Sequence, residues 1–375
     1  MALKIEKLIS GAYGLSHDED ARTVLVKGAL EGEIVIPHEV VKRANTFIVE
    51  DYDIITPSPL RITPRCPHYG KCGGCDFLSV DEEVSAALKE GMVKENLLRI
   101  TKLENLPSFL PPAHSSFFSY RSRCRLHVDV RNKSIGFLKR NSNELFALEH
   151  CPALTGRINN LLREKSTILR EAQRQRILSG QNRRTGFVEI AVQDGDEDIS
   201  ISEKAVIAAG YQVNPYCFFQ SNLRLLPELL SFVKENSVGD VIMDLYSGVG
   251  TFSKLFEMEG RKVYAVEKNP RCLSFSKRNA PHALSFTDDA FLFSKRIKEK
   301  VDTVIVDPPR IGLERDIIPL ISSWGADRII YVSCDSTTAA RDLALFNGYK
   351  IICAKLFDFY PGSFHEECAF VLERK

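Results

Sequence analysis

No apolar run in this chain approaches the roughly 18–20 residues that a membrane-spanning helix needs. The opening MALKIEKLISGAYG has no basic stretch followed by an apolar one, so a cytoplasmic rather than a secreted product is expected. No internal repeat and no low-complexity tract interrupts the 375 residues. Net charge is almost absent: 50 Lys and Arg against 49 Asp and Glu leave +1, which selects no partner by itself. Wholesale disorder is excluded, because 44% of residues are hydrophobic and only 26% charged. At about 150 residues per domain, the length suits two or three domains. The even balance conceals an asymmetry. Between Arg121 and Arg184, fifteen Lys and Arg face five Asp and Glu, a local +10 within 64 residues. A middle third this basic points to an anionic partner, nucleic acid first.

Residues 1–53 carry short β-branched runs (IEKLIS, TVLVKGAL, GEIVIP, TFIVEDYDII) broken by Gly11, Gly14, Gly28 and Gly32. About five strands in so short a stretch suit a small OB-like barrel. Residues 54–80 are a proline-rich linker leading into a cysteine loop. The segment 80–100 has apolar residues at helical spacing. Residues 81–222 form a basic α+β region, with strands RCRLHVDV, IGFLKR and FVEIAVQ and one long basic helix near 155–178. From about 223 to 375 the pattern changes to alternating strands and helices. VIMDLY, KVYAVE, DTVIVD, RIIYVSC and KIICAKLFDF predict a mostly parallel, Rossmann-like α/β sheet with helices on both faces.

The chemistry-bearing residues fall at the carboxyl ends of those strands, where doubly wound sheets bind ligands. VIMDLYSGVGTFS places Asp244 at a strand end, followed by a Gly248-x-Gly250 turn into a helix. Such a turn lets backbone approach a ligand. Ser253 stands where a dinucleotide fingerprint has its third glycine, which disfavours a pyrophosphate reader. Glu267, seventeen residues beyond Gly250, is suited to accept hydrogen bonds from both hydroxyls of a ribose. Together these read as an S-adenosylmethionine site. Asp307 ends the third strand ahead of Pro308 and Pro309, which stiffen the loop. Arg310 follows, where a methyltransferase acting on an exocyclic base amine would place an aromatic. YVSC places Cys334 at the same edge, before a helix opening on Asp335-Ser336-Thr337 whose N-terminus is expected to lower the thiol pKa. FYPGSFHEE brings His365, Glu366 and Glu367 back to that edge. A thiolate nucleophile with a carboxylate base is a workable pair, and spacing alone does not choose between the two glutamates.

Ten cysteines in a chain read as cytoplasmic should be reduced thiols unless they bind metal or do chemistry. Cys66, Cys72 and Cys75 crowd into ten residues, and Cys151 in EHCP is the candidate fourth ligand. Four cysteines suit zinc. Zinc ribbons favour two Cys-x2-Cys knuckles, whereas one knuckle with a lone distal ligand suits a cubane iron–sulfur cluster. In SYRSRCR, Arg121, Arg123 and Arg125 alternate and are expected to present three guanidinium groups to RNA on one strand face, with Phe117, Phe118 and Tyr120 nearby.

CPHYGKCGGCDF, DLYSGVGTF, VDPPR, YVSCDSTTAARDL and FYPGSFHEE, in this order, resemble the RNA uracil-C5-methyltransferase family. That family includes bacterial 23S rRNA 5-methyluridine enzymes and the tRNA T-loop enzyme. The likeness covers almost the whole chain, since residues 1–53 resemble the TRAM RNA-binding module of the ribosomal members. It implies a covalent mechanism in which Cys334 attacks C6 of the target uracil, C5 takes the methyl group, and a base removes the C5 proton. The family's base lies in a His-x-Glu context, which selects Glu367. Cofactor contacts carry over to Gln220 (in CFFQSN), Tyr246, Thr251, Glu267 and Asp289, with Asp307 at the crevice. A [4Fe–4S] cluster on Cys66, Cys72, Cys75 and Cys151 is implied as well, because ribosomal members carry one at this spacing. With the TRAM-like module, it makes 23S rRNA the expected substrate ahead of tRNA. Two positions depart from the usual pattern: Ser247 where many members have cysteine, and Asp335 where asparagine is usual. A monomer without membrane attachment is expected. The remaining alternatives are a base-amino methyltransferase, which leaves Cys334 without a role, and an iron–sulfur RNA-binding protein with a lapsed active site.

Overall fold

A computed structural model describes residues 2–44, 46–179, 187–201, 203–295, 297 and 299–375. Residues 3–56 form two small sheets around one core of Leu3, Ile5, Val24, Val26, Ala29, Val35 and Val49. Eight short strands arise where the runs suggest about five, because single runs are shared between sheets. LKIEKLIS, which contains the first of those runs, pairs Leu3–Lys4 with Ile34–Val35 and then Lys7–Ile9 with Tyr13–Leu15. Gly14 permits this folding over: a Cβ there would lie 2.7 Å from Ile5 Cγ2. The linker is fastened to this module by a buried carboxylate. Glu33 accepts from Arg61 Nη2 at 2.7 Å and from the backbone N–H groups of Leu30 and Ser58.

The basic region builds a five-stranded antiparallel sheet in the order Leu145–Ala147, Ser134–Leu138, Arg123–Asp129, Phe187–Asp194, Ile199–Ser200. Alternate residues Cys124, Leu126 and Val128 pack against Ile158, Leu162 and Ile168 of the covering helices. The single long helix expected there is two, Gly156–Glu164 and Ser166–Ser179, broken where Lys165 takes a left-handed φ of 53°.

The C-terminal sheet has eight strands in the order Leu284–Thr287, Lys262–Glu267, Val241–Leu245, Thr303–Val306, Arg328–Ser333, Cys368–Arg374, Tyr349–Leu356, Ser108–Phe109. The first five run parallel, and Cys368–Arg374 inserts antiparallel to both neighbours. Strand order reverses between Val241–Leu245 and Thr303–Val306, which opens a crevice at their carboxyl ends. The helix Glu82–Thr101 precedes the basic region in sequence yet packs on this domain, against the helix Ser336–Leu343 and the strand Tyr349–Leu356, and its Ala86, Val93 and Leu97 join the core that holds Met243, Leu245 and Val304. On the same stripe, fully buried Lys89 donates to fully buried Asp358 at 2.7 Å and to the Tyr360 carbonyl at 3.1 Å. No helix among the described residues is long and apolar enough to cross a membrane.

Candidate active site

The cofactor side of the crevice is built from adjacent motifs. After Asp244 the chain turns through positive φ at Tyr246 (60°), Gly248 (56°) and Gly250 (83°). Gly250 is constrained twice, since a Cβ there would also stand 2.8 Å from Ser276 Oγ. Glu267 is pinned beneath the turn, accepting from Gly248 N at 3.0 Å and Asn269 N at 2.7 Å. Asp244 is fully buried and accepts from Ser253 Oγ at 2.6 Å. Burial pushes its carboxyl up to about 7 against that hydrogen bond, with Glu267 adding to the rise. Thr251 opens the following helix, and its carbonyl accepts from Tyr211. Asp289 caps the helix Ala290–Ser294 through Phe291 N and pairs with Lys268 at 3.0 Å. Burial acts to raise its pKa, but Lys268 and the cap hold it below the usual range.

Three buried polar atoms in these segments, Gln220 Oε1, Asp244 Oδ1 and Ser247 Oγ, have no hydrogen-bond partner among the described residues. Buried polar groups are seldom left unpaired, so these atoms fit a polar ligand in the crevice. The donor and acceptor set suits adenosylmethionine.

The nucleophile side is assembled from distant segments. Half-buried Cys334 ends the strand Arg328–Ser333, and Asp307 ends its neighbour. Burial pushes the Cys334 thiol up to about 12; Glu367 and Asp307 add to this, and the Arg310 guanidinium against the sulfur opposes it. The helix N-terminus does not lower the thiol pKa as expected. Asp335 is the cap, and its side chain takes the Thr338 N–H at 2.8 Å, leaving Cys334 outside the ring of free donors. Glu367 is buried, and burial together with Asp307 lifts its pKa well above the usual range, again opposed by Arg310. Arg310, at the position where a base-amino methyltransferase would place an aromatic, also donates to His365. His365 stays neutral, because burial and then Arg310 hold its pKa down to about 3.

The two adjacent glutamates have different surroundings. Glu366 accepts from both the backbone N–H (3.1 Å) and the hydroxyl of Ser336 at the start of a helix. Ser336 in turn accepts from Asn96 Nδ2 at 2.8 Å. Glu367 makes no such capping contact and faces Asp307 and Arg310 instead.

A cleft of about 560 Å³ adjoins this site, lined by Lys27, Arg121, Phe137, Arg140, Tyr360 and His365 among others. The three alternating arginines do not all face it. Arg123 turns inward to the carbonyls of Pro215 and Phe219, Arg121 lies over the Phe137 ring, and exposed Arg125 pairs with Glu189. Phe117 and Tyr120 are core residues, while Phe118 is partly exposed. Arg174 is tied to Glu171 on a solvated helix face. Arg183 and Arg184 lie outside the described residues.

Cys66, Cys72, Cys75 and Cys151 are brought to one place. Burial raises the Cys72, Cys75 and Cys151 thiols; Cys75 also feels Cys151, Cys72 and Cys66, Cys72 feels Cys151 and Cys66, and Cys151 feels Cys66. Among the described residues, no three His, Cys, Asp or Glu groups stand close enough to hold one metal ion.

The sheet order, the crevice and its orphaned polar atoms define a class, the S-adenosylmethionine-dependent methyltransferases. The fold is shared by the tRNA (uracil-54, C5)-methyltransferase of Pyrococcus abyssi, solved with S-adenosyl-L-homocysteine. The TM-score is 0.76 at 21% identity, covering 99% of this chain and 100% of that one. Residues 295–375 match the family model described as tRNA (Uracil-5-)-methyltransferase. An uncharacterized RNA methyltransferase of Treponema denticola is 30% identical over 405 residues, covering 97% of each chain. The 23S rRNA (uracil(1939)-C(5))-methyltransferase of Hahella chejuensis is 27% identical, covering 99% of this chain and 96% of that one. The chain belongs to the RNA uracil-C5-methyltransferase family.

Proposed function

We propose that this enzyme methylates C5 of a uridine in 23S rRNA, with Cys334 as nucleophile and Glu367 as base. The observation that carries the reading is the convergence of Cys334, Asp307, Arg310 and Glu367 beside the cofactor turn. Adenosylmethionine, when bound, supplies the electrophilic methyl group. Gln220, Tyr246, Thr251, Glu267 and Asp289 hold it, and Asp307 faces the reacting end. The Cys334 thiolate adds to C6, and the C5–C6 π electrons move to C5 and O4 as an enolate. C5 takes the methyl group as the methyl–sulfur bond of the sulfonium breaks, and neutral S-adenosylhomocysteine is left. The Glu367 carboxylate then removes the C5 proton, the electron pair re-forms C5=C6, and the C6–S bond breaks to release thiolate. Arg310 favours the anionic form of both groups. The engagement of Glu366 by Ser336 supports Glu367 as the base. The target base must leave its stack to reach Cys334, and the adjoining cleft can take the strand around it.

Cys66, Cys72, Cys75 and Cys151 are proposed to hold a [4Fe–4S] cluster, which would cross-link the loop to the basic sheet. The enzyme is proposed to work as a monomer in the cytoplasm. The test is methyl transfer from labelled adenosylmethionine to unmodified 23S rRNA and tRNA in parallel, with the labelled nucleoside identified by mass. 5-Methyluridine in 23S rRNA is expected. The same nucleoside in tRNA alone would move the substrate to tRNA, and no label in either would favour a lapsed enzyme.

A further inference from the structure

The segment 360–367, which carries His365 and Glu367, has no regular secondary structure, so its position depends on what it is tied to. At its start the Tyr360 carbonyl accepts from Lys89, and at its end Glu366 accepts from Ser336. Between them Arg310 donates to the His365 ring, and the backbone of the segment is held by the residues just after the last cysteine of the loop. Asp76 N and Phe77 N both donate to the Gly362 carbonyl, at 2.6 and 2.8 Å. The Asp76 carboxylate answers by accepting from Phe364 N at 3.2 Å. The approach is tight: Gly362 has φ 81°, and a Cβ on it would stand 2.7 Å from Leu78 Cδ2.

Asp76 is itself fixed from two other parts of the molecule. Lys27, from the N-terminal sheets, pairs with it at 2.9 Å, both side chains being almost wholly buried. Lys27 also donates to the Gly11 carbonyl at 2.6 Å and lies over the rings of Tyr13 and Phe364. Arg140, from the hairpin of the basic sheet, approaches the same carboxylate at 3.7 Å and donates to the Cys75 carbonyl at 2.8 Å. Tyr69 holds the Asp76 carbonyl at 2.6 Å. One buried carboxylate thus joins the N-terminal sheets, the basic sheet, the cysteine loop and the segment bearing Glu367.

We propose that Asp76 is a positioning residue for proton abstraction, holding the 362–367 segment so that Glu367 reaches the C5 proton of the methylated adduct. The inference rests on Glu367 being the base. Its signature lies in the step it affects. A displaced Glu367 leaves C6 addition and methyl transfer intact and slows only loss of the C5 proton with expulsion of thiolate. The covalent protein–RNA species therefore accumulates.

The test uses the full-length enzyme with its thiol site loaded, as Asp76→Asn, Asp76→Ala and the charge-neutral double variant Lys27→Met with Asp76→Asn. The double variant covers the case in which a buried, unpaired Lys27 unfolds the Asp76→Ala protein. A misplacement near 1 Å can cost about 100-fold in rate. Folded variants are expected to lose about 10- to 100-fold in kcat, with KM for RNA and for adenosylmethionine within about twofold. Their steady-state fraction of methylated covalent adduct should rise above wild type. Unchanged kcat in a folded variant, or a change confined to KM, would overturn the proposal. So would a fall in kcat without adduct while Glu367→Gln traps it. If Glu367→Gln itself traps no adduct, the base assignment fails rather than the brace, which kcat against KM then decides alone.

Discussion

The two halves of the crevice are built in opposite ways. The cofactor side is local: Asp244, Tyr246, Gly248, Gly250, Thr251 and Glu267 span 24 residues and are fixed mainly by one another. The nucleophile side gathers Asp307, Arg310, Cys334 and Glu367 from three strand ends, with its last segment held by Asp76, Lys89 and Ser336. A local site can be formed by a strand, a turn and a helix. A gathered one exists only when every surrounding layer is packed. Changes on the first side should therefore act on cofactor affinity, and changes on the second on the chemical step.

The contrast is broken most severely at Cys334. Cys334→Ser is expected to lower methyl transfer by at least about 10³-fold, with an unchanged circular dichroism spectrum and an unchanged Kd for adenosylmethionine. Gly250→Ala should do the reverse. It forces a left-handed φ on alanine and a contact with Ser276, so calorimetry should show adenosylmethionine binding weakened about tenfold, for a cost of roughly 1–2 kcal/mol. Glu366→Gln sharpens the contrast within one dipeptide. It weakens the contacts to Ser336 and should reduce stability by about 1–3 kcal/mol in denaturant unfolding, without trapping a covalent adduct. The smallest effect is on pH. Asp244 is lifted to about 7 and Asp307 upward by burial. A cationic ligand favours their ionised forms, so the Kd of adenosylmethionine should fall as pH rises through about 7. Neutral S-adenosylhomocysteine should show a weaker trend in the same titration.

The same division explains what the sequence revealed. Glycine spacing and strand-end acids made the cofactor turn legible, because each residue there answers to neighbours within a few positions. Five strands of the C-terminal sheet were equally plain from their apolar runs. The edge strand Ser108–Phe109 and the short strand Leu284–Thr287 were not, since pairing rather than composition makes them strands. Cys334 could be located but its raised pKa could not: the helix start was visible, whereas Asp335 occupying the donors and Glu367 lying opposite are tertiary facts. Alternation correctly placed Arg123 and Arg125 on one strand face, yet could not show that Arg123 faces the carbonyls of Pro215 and Phe219. Lys89 did leave a trace, as a lysine within the apolar stripe of Ala86, Val93 and Leu97.

The most direct measurement is made on Glu367→Gln, incubated with unmodified 23S rRNA and labelled adenosylmethionine, followed by denaturing electrophoresis and peptide mapping. A labelled protein–RNA species joined through Cys334 is expected. Free 5-methyluridine at the wild-type rate, with no covalent species, would contradict both the nucleophile and the base.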